Sequence, residues 1–151
     1  IDHGIEPAEA RLAAGKPAAG NIRVEAGVDQ QTLQITVADD GRGLALARIR
    51  ATAVARGWIN ADAVVSDEAV AQFIFHAGFS TAATVTTISG RGVGMDAVRG
   101  FLQRSGGTIA LRFTDTHVGA PYRQFQTVVS LPDRFAVDSV AALADAPVIT
   151  L

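Results

Sequence analysis

Two glycine-rich segments, some fifty residues apart, carry the residue types best suited to nucleotide chemistry. The first reads VADDGRGL over residues 37–44 and closes a strand-like run, and the second reads SGRGVGMD over residues 89–96 and opens a helix-like run. A carboxylate at a strand end, such as that of Asp39, can accept a hydrogen bond from an exocyclic amine. Glycines let backbone N–H groups approach phosphates at a helix N-terminus. The pair predicts a purine nucleotide site, and adenine carries the matching amine.

Each segment taken alone has an ordinary alternative reading. Asp-Asp-Gly-Arg-Gly after a strand is more often a turn, because turns favour Asp and Gly. The second segment departs from the dinucleotide-binding pattern, since Met95 stands where a sixth-position glycine is required. The sequence also lacks the Gly-Lys-Ser/Thr of a P-loop and the Gly-x-Ser-x-Gly of a hydrolase. What favours a nucleotide is the combination, in this order, of the carboxylate, a Gly/Ser/Thr-rich stretch and a triple-glycine helix start.

Composition narrows the class of protein. The 151 residues fit one domain, 48% of them are hydrophobic, and few are aromatic, which predicts a globular fold with an aliphatic core. A net charge of −2 with scattered basic residues disfavours nucleic acid and anionic membranes as partners. Without cysteine there are no disulfides or thiolate metal sites. With no signal-peptide pattern and no apolar run of membrane-spanning length, we expect a cytoplasmic segment without membrane insertion. Because the chain begins at Ile1, we expect it to be part of a longer protein.

Hydrophobic periodicity predicts the elements that must position these segments. Alternation over 22–28 and 33–37 predicts a β-hairpin that delivers Asp39, and a helix is expected over 45–56. Ser66 is a candidate N-cap for a helix ending near Gly78, followed by a mobile loop. Another helix starts at the second glycine segment, and alternation over 109–113 and 125–131 predicts a second antiparallel pair. This order predicts an α+β, two-layer sandwich, with 134–151 a docked or frayed helix.

Longer stretches of the chain resemble a known family. They are IDHGIEP at 1–7, RLAAGKP at 11–17, DDGRGL at 39–44, Phe75 with GFST at 78–81, and the run at 89–98. These resemble the ATP-binding catalytic domain of histidine kinases, of the superfamily shared with gyrase, Hsp90 and MutL, and within it the chemotaxis (CheA-type) kinases. The resemblance implies a Bergerat-type fold over 1–132, with a mixed, mostly antiparallel sheet and helices on one face. Residues 133–151 would be a tail or the start of a following segment.

The resemblance also implies a set of nucleotide-binding residues. Asp39 would accept the adenine amino hydrogen, and Gly41 and Gly43 would allow close packing beneath the ring. Asp40 would support the turn or a water rather than touch adenine. Residues 77–92 would form a lid over the nucleotide. Arg48 and His3 would lie towards the phosphates, a solvated helix face and a capping or surface histidine being their respective alternatives. The full set is Asp39, Gly41, Gly43, Arg48, His3, Ser80, Thr81, Gly90, Arg91, Gly92, Gly94 and Met95, with no catalytic residue assigned.

ATP and Mg²⁺ are the cofactors that the resemblance implies. The family's Mg²⁺-binding asparagine stands four residues before the His3 position, so we expect it upstream and assign no metal ligand in this chain. The implied activity is transfer of the γ-phosphate to a histidine on a separate phosphotransfer domain, with a response regulator and receptor or adaptor proteins as further partners. The isolated chain lacks an acceptor histidine in its helical context and should not autophosphorylate.

Two other functions stay open at this point. The chain departs from the family at 119–125 and 131–134, where a Gly-Thr and a Leu-Pro-Leu-Thr are usual. That departure is compatible with a degenerate module that binds nucleotide or protein partners without turnover. An ATP-hydrolysing relative of the topoisomerase kind is the third possibility, and the Asp-His-Gly-Ile-Glu opening argues against it.

Overall fold

The computed structural model of the chain describes residues 4–79 and 94–136, and the backbone of residues 149–150. The described helices are α1 (Ala8–Ala13), α2 (Leu46–Ala55), α3 (Asp67–Ala71) and α4 (Met95–Arg104), with 3₁₀ turns at Gln72–Phe75 and Asp133–Phe135. The described strands are β1 (Asn21–Asp29), β2 (Thr32–Asp39), β3 (Thr108–Phe113), β4 (Phe125–Pro132) and β5 (Ile149–Thr150).

These strands form one sheet in the order β3-β4-β2-β1-β5, and each described pairing is antiparallel. The β1–β2 hairpin closes at the Asp29–Thr32 pair through a two-residue turn. Gln30 and Gln31 both have positive φ, of 45° and 66°. Two successive positive φ values match the right-handed twist of a hairpin. The hairpin and the α+β class predicted from the sequence are confirmed.

The register explains which face of the sheet is apolar. Ile35 lies opposite Val129, and Val129 lies opposite Ile109, so these three side chains share one face. Leu111 and Phe113 continue that face along β3. On it α2 and α3 build a core from Leu46, Ile49, Val70 and Ala71, packed against Leu111 and Phe113. The helices therefore cover the face on which every second residue of β2, ending with Asp39, must lie.

Two predictions from the sequence are wrong, one about where α3 ends and one about what residues 149–150 form. The α3 helix stops at Ala71 and tightens into a 3₁₀ turn, and His76, with ψ of 140°, has already left the helical region. Phe73 packs against Trp58 while Phe75 is buried, so these apolar side chains do not continue as a single helical stripe to Gly78. Residues 149–150 fall within the predicted C-terminal helix, but they form β5 and pair with Asn21 and Ile22 of β1. Without this pairing, the backbone groups at that edge of β1 would lack a partner strand.

Candidate nucleotide site

Asp39 is the last residue of β2 and lies half-buried at the end of the helix-covered face. Strand alternation puts its side chain on the same face as Ile35 and Val37. Its Oδ1 accepts a hydrogen bond of 2.9 Å from the Gly41 N–H. Within the described residues no hydrogen bond reaches Oδ2, so this oxygen can accept a donor from a ligand. The Gly41 N–H thus orients the carboxylate, and Oδ2 has no hydrogen-bond partner among the described residues.

Gly41 must be glycine because of its own protein surroundings. A Cβ placed there would lie 2.7 Å from Asp39 Oδ1 and would overlap the carbonyl oxygen of Gly4. The same carbonyl accepts a hydrogen bond of 2.9 Å from Arg42 N–H. The N-terminal segment therefore crosses directly over the turn and leaves no volume for a side chain.

Gly43 is constrained from the other side of the turn. Its φ of +85° is a left-handed conformation, and a Cβ there would lie 2.5 Å from the carbonyl oxygen of Arg123. Leu44 and Arg123 form an isolated antiparallel bridge beside it. Both glycines thus pack against protein backbone, and packing beneath an adenine ring remains a prediction for them.

Asp40 points away from Asp39 and ties down the N-terminal segment. Its Oδ1 accepts a hydrogen bond from Asn21 N–H, and its Oδ2 accepts bonds from Asn21 Nδ2 and from Arg11 Nη2 at 3.0 and 2.9 Å. Burial alone would raise the pKa of this carboxyl, but the bonds from Asn21 and the Arg11 guanidinium outweigh it and lower the pKa to about 2. The structure gives Asp40 the supporting position expected for it.

Arg11 is fully buried and holds this arrangement together. Besides Asp40 it donates to the carbonyl oxygens of Pro17 and Ala19 and to the carboxylate of Glu6. Burial raises the pKa of Glu6, yet the hydrogen bond from Lys16 and the nearby charges of Lys16 and Arg11 lower it overall. A guanidinium has five N–H donors, and its cost of burial is offset only when they find acceptors. Here they do, and the segment from Glu6 to Asn21 becomes part of the site's scaffold.

Arg123 is a second buried cation, on the opposite flank of the glycine turn. Its guanidinium donates to Asp115 Oδ1 at 2.8 Å and to Asp67 Oδ2 at 2.9 Å, and lies 4.0 Å from the centre of the Phe113 ring. Burial raises the pKa of Asp115, but bonds from His117 N–H, Arg123 and Gln124 N–H lower it overall. Arg123 links the start of α3 and the loop after β3 to the backbone that confines Gly43.

The remaining candidates are placed as follows. Arg48 is exposed on α2, and no hydrogen bond or ion pair joins its side chain to the described residues; its backbone carbonyl accepts a hydrogen bond from the Thr52 hydroxyl. Gly94 is the N-cap of α4 in an extended conformation, Met95 is its first helical residue, and Asp96 supplies an acidic side chain to the first turn. Outside the described residues lie His3, Ser80, Thr81, Gly90, Arg91 and Gly92, with most of the predicted lid.

Sequence reasoning missed the two arginines that frame the site. Hydropathy places arginine at the surface, so neither Arg11 nor Arg123 was a candidate for burial. For Arg11 a signal existed in the RLAAGKP stretch, which was noted as a match without any assigned role. Nothing local marks Arg123, because Asp67 is fifty-six residues away along the chain.

Metal ligands are not gathered in the part of the chain that the structure describes. Across residues 4–79 and 94–136, no group of three or more His, Cys, Asp or Glu side chains is placed to hold an ion.

In the same described residues, no helix is long and apolar enough to cross a membrane.

Comparison with known proteins agrees with this geometry. A family model described as histidine kinase-, DNA gyrase B-, and HSP90-like ATPase matches residues 1–134. The chain is 48% identical over 109 residues to chemotaxis protein CheA of Rhizobium meliloti, covering 72% of this chain and 14% of that protein. It is 36% identical over 137 residues to chemotaxis protein CheA of Treponema pallidum, covering 91% and 16%.

A relative from a different motility system is also similar. The gliding motility regulatory protein of Myxococcus xanthus is 42% identical over 113 residues, covering 74% of this chain and 14% of that protein. The chain thus spans less than a fifth of the length of these relatives. With the strand-end carboxylate, the confined glycine turn and a family match over nearly its whole length, the chain belongs to the histidine kinase-, DNA gyrase B-, and HSP90-like ATPase family.

Proposed function

We propose that this chain is the ATP-binding catalytic domain of a chemotaxis-type histidine kinase, presenting the γ-phosphate of ATP to a histidine on a separate phosphotransfer domain. The observation that carries the proposal is the Asp39 carboxylate, fixed through Oδ1 by the Gly41 N–H. That leaves Oδ2 for the exocyclic amine of adenine. Similarity to chemotaxis protein CheA across 72% to 91% of the chain supports the kinase subclass.

Phosphoryl transfer requires no covalent bond between the protein domain and the transferred phosphoryl group. In phosphoryl transfer the acceptor imidazole nitrogen attacks the γ-phosphorus in line, the bond to the β-γ bridging oxygen breaks, and ADP leaves. The domain contributes positioning and charge neutralisation. Asp39 would hold the base, the N–H groups at the start of α4 would face phosphate oxygens, and exposed Arg48 would add positive charge. Mg²⁺, when bound, would neutralise the charge of the triphosphate, and we assign no ligand for it among the described residues.

The partners follow from the same proposal. A histidine phosphotransfer domain would receive the phosphoryl group, a response regulator would take it next, and receptor or adaptor proteins would set the rate through other domains. We propose a cytoplasmic location for this segment, because the ATP that it would use is available there. For this segment we propose neither a nucleic-acid partner nor membrane insertion.

Calorimetric titration with ADP and Mg²⁺ tests the nucleotide site. We expect wild type to bind and Asp39→Asn to bind at least about 10-fold more weakly, because a charge-assisted hydrogen bond contributes about 1.5–3 kcal/mol. Asp62→Asn is the matched control, since Asp62 is exposed and makes no hydrogen bond within the described residues. Equal affinity of Asp39→Asn and wild type would remove Asp39 from the site.

Transfer to a partner in trans tests the kinase assignment. The chain is incubated with γ-labelled ATP and a histidine phosphotransfer domain, and acid-labile, base-stable label on that domain is counted. Labelling that depends on Asp39 supports the kinase. Nucleotide binding without labelling, repeated in a longer chain that includes the upstream residues, would favour the module without turnover.

A further inference from the structure

We propose that Lys16 is a positioning residue for the Asp39 carboxylate, acting through the peptide group between Asp40 and Gly41, and thereby sets the preference for a 6-amino purine. The proposal rests on the nucleotide site proposed above. Lys16 is the single lysine in the sequence. It lies in the N-terminal segment, away from the two glycine-rich segments that the sequence marks as the site.

The Lys16 ammonium has three protein partners. Nζ donates to Asp40 O, to Gly41 O and to Glu6 Oε1, each at 2.9 Å. An ammonium has three N–H donors, so these acceptors satisfy it completely. The side chain is 31% exposed, which places the contacts at the rim of the scaffold. Two of the three acceptors are successive backbone carbonyls of the turn that follows Asp39.

The peptide group between Asp40 and Gly41 links the Lys16 contact to the Asp39 carboxylate. The Asp40 C=O and the Gly41 N–H belong to one planar trans peptide group and point in opposite directions. Since Lys16 holds the oxygen, the N–H is aimed at Asp39 Oδ1, where the 2.9 Å hydrogen bond is found. A cation on the carbonyl also polarises the peptide and strengthens its N–H as a donor. Lys16 thus helps to orient the Asp39 carboxylate, with Oδ1 bonded to Gly41 N–H and Oδ2 without a partner among the described residues.

Local sequence explains why Lys16 reaches this position. The α1 helix ends in a Schellman motif, with Gly15 at φ +73°, Gly15 N–H bonded to Leu12 O, and Lys16 N–H bonded to Arg11 O. The Ala-Gly-Lys sequence thus reverses the chain immediately before the lysine. Glu6, which also pairs with Arg11, supplies the counter-charge.

Other side chains share the turn, which makes Lys16 the informative one to change. Arg11 Nη1 reaches Asp40 O at 3.3 Å and Gln124 Nε2 reaches Gly41 O at 2.9 Å. Arg11 also holds Pro17, Ala19 and the Asp40 carboxylate, so its loss would affect the whole segment. Lys16 concentrates its contacts on the two carbonyls and Glu6, so its replacement removes fewer contacts from the rest of the segment.

The experiment compares ADP with inosine diphosphate, which has a 6-keto oxygen in place of the amine. Wild type, Lys16→Met, Lys16→Arg and the charge-matched control Arg23→Met are titrated with both; Arg23 is exposed on β1, paired with Glu25. We expect Lys16→Met to weaken ADP about 10-fold, as for loss of one charge-assisted interaction, and inosine diphosphate about 2-fold. Lys16→Arg should recover part of the preference, and Arg23→Met should leave it unchanged. An equal loss for both nucleotides would overturn the proposal.

A ligand-free measurement separates this proposal from the proposed function. Exchange of the Gly41 amide proton is followed by NMR in the same variants, with Lys16→Gln added in case Lys16→Met fails to fold. Faster exchange at Gly41 in the Lys16 variants, with global stability unchanged, supports positioning even if wild type binds neither nucleotide. Unchanged exchange at Gly41 overturns it, even if wild type binds ADP.

Discussion

Leu44 and Arg123 exchange two backbone hydrogen bonds, Leu44 N–H to Arg123 O at 2.8 Å and Arg123 N–H to Leu44 O at 3.1 Å. This small bridge joins the exit of the glycine turn to Arg123, which lies two residues before the start of β4. On the opposite flank, Arg42 N–H is bonded to Gly4 O. The turn that follows Asp39 is therefore anchored on both sides by chain segments distant in sequence, which explains how a loop can hold a carboxylate in a fixed orientation.

Gly43→Ala should be more destabilising than an ordinary left-handed glycine replacement. Gly57→Ala is the matched control, since Gly57 has φ +70° with nothing within 4 Å of a Cβ, and should cost about 1–2 kcal/mol in free energy of unfolding. Gly43→Ala adds a backbone clash with Arg123 O, which typically costs a further 1–3 kcal/mol or so. Urea unfolding followed by Trp58 fluorescence measures both. Equal losses would mean that the Arg123 backbone yields freely.

Arg123→Met should strongly lower the unfolding midpoint, because Asp67 and Asp115 are left facing each other without their cation. Arg112→Met, an exposed arginine on β3, is the control and should change the midpoint little. Adding Asp67→Asn to Arg123→Met should restore part of the loss by removing one orphaned charge. If the double variant is instead less stable by the sum of the single effects, the three charges are not coupled.

Acid should destabilise the fold partly through Asp40. Its pKa is about 2 in the folded protein against 3.8 for an ordinary Asp, so the folded state favours the ionised form. That contribution is fully present above about pH 4 and is lost as the pH falls towards 2. In urea unfolding at pH 5 and pH 3, Asp40→Asn should lose less stability on acidification than wild type. Asp62→Asn should keep the wild-type difference, and an unchanged difference in Asp40→Asn would contradict the assignment.

Trp58 is the only tryptophan in the sequence, and it packs beside Phe73, His76 and Phe79 with the Arg56 guanidinium 5.1 Å from its ring centre. Trp58→Ala should cost about 2 kcal/mol, because the half-exposed ring gives up part of the 3–5 kcal/mol typical of a fully buried one. Phe101→Ala, 64% exposed on α4, should stay within about 0.5 kcal/mol of wild type. Thermal unfolding by circular dichroism compares them. A neutral Trp58→Ala would show that the aromatic contacts contribute little to stability.

Local signals in the sequence predicted the local parts of the fold. Alternation located the β1–β2 hairpin and so Asp39, and Ser66 caps α3 as expected, accepting a hydrogen bond from Ala69 N–H. Interactions over long sequence separations were not predictable in this way. The partners of Arg11 and Arg123 depend on which turns the folded chain brings together, and composition alone places such charges in solvent.

The same distinction between local signals and long-range contacts applies to the residues of the candidate site. Asp39 and the glycines were recognisable because their types and spacing form a motif. The reasons for those glycines lie in backbone contacts with Gly4 and Arg123, and although Gly4 belongs to the IDHGIEP stretch, nothing in that stretch marks its contact with Gly41. The end of α3 was misplaced because the apolar run from Phe73 to Phe75 does not reveal where an α-helix tightens into a 3₁₀ turn. Lys16 stood within a recognised stretch, and only its three contacts assign it a role.

Because Lys16 is the single lysine in this sequence, ¹⁵N supplied as lysine marks one side-chain ammonium in the 151-residue chain. The protons of that ammonium are directed at Glu6 Oε1, Asp40 O and Gly41 O, so their exchange with water should be slow enough to give an observable signal. The chemical shift of that nitrogen then follows the state of the turn without any added probe. The protein therefore contains its own single-site spectroscopic label, one peptide group away from the carboxylate proposed to read the base.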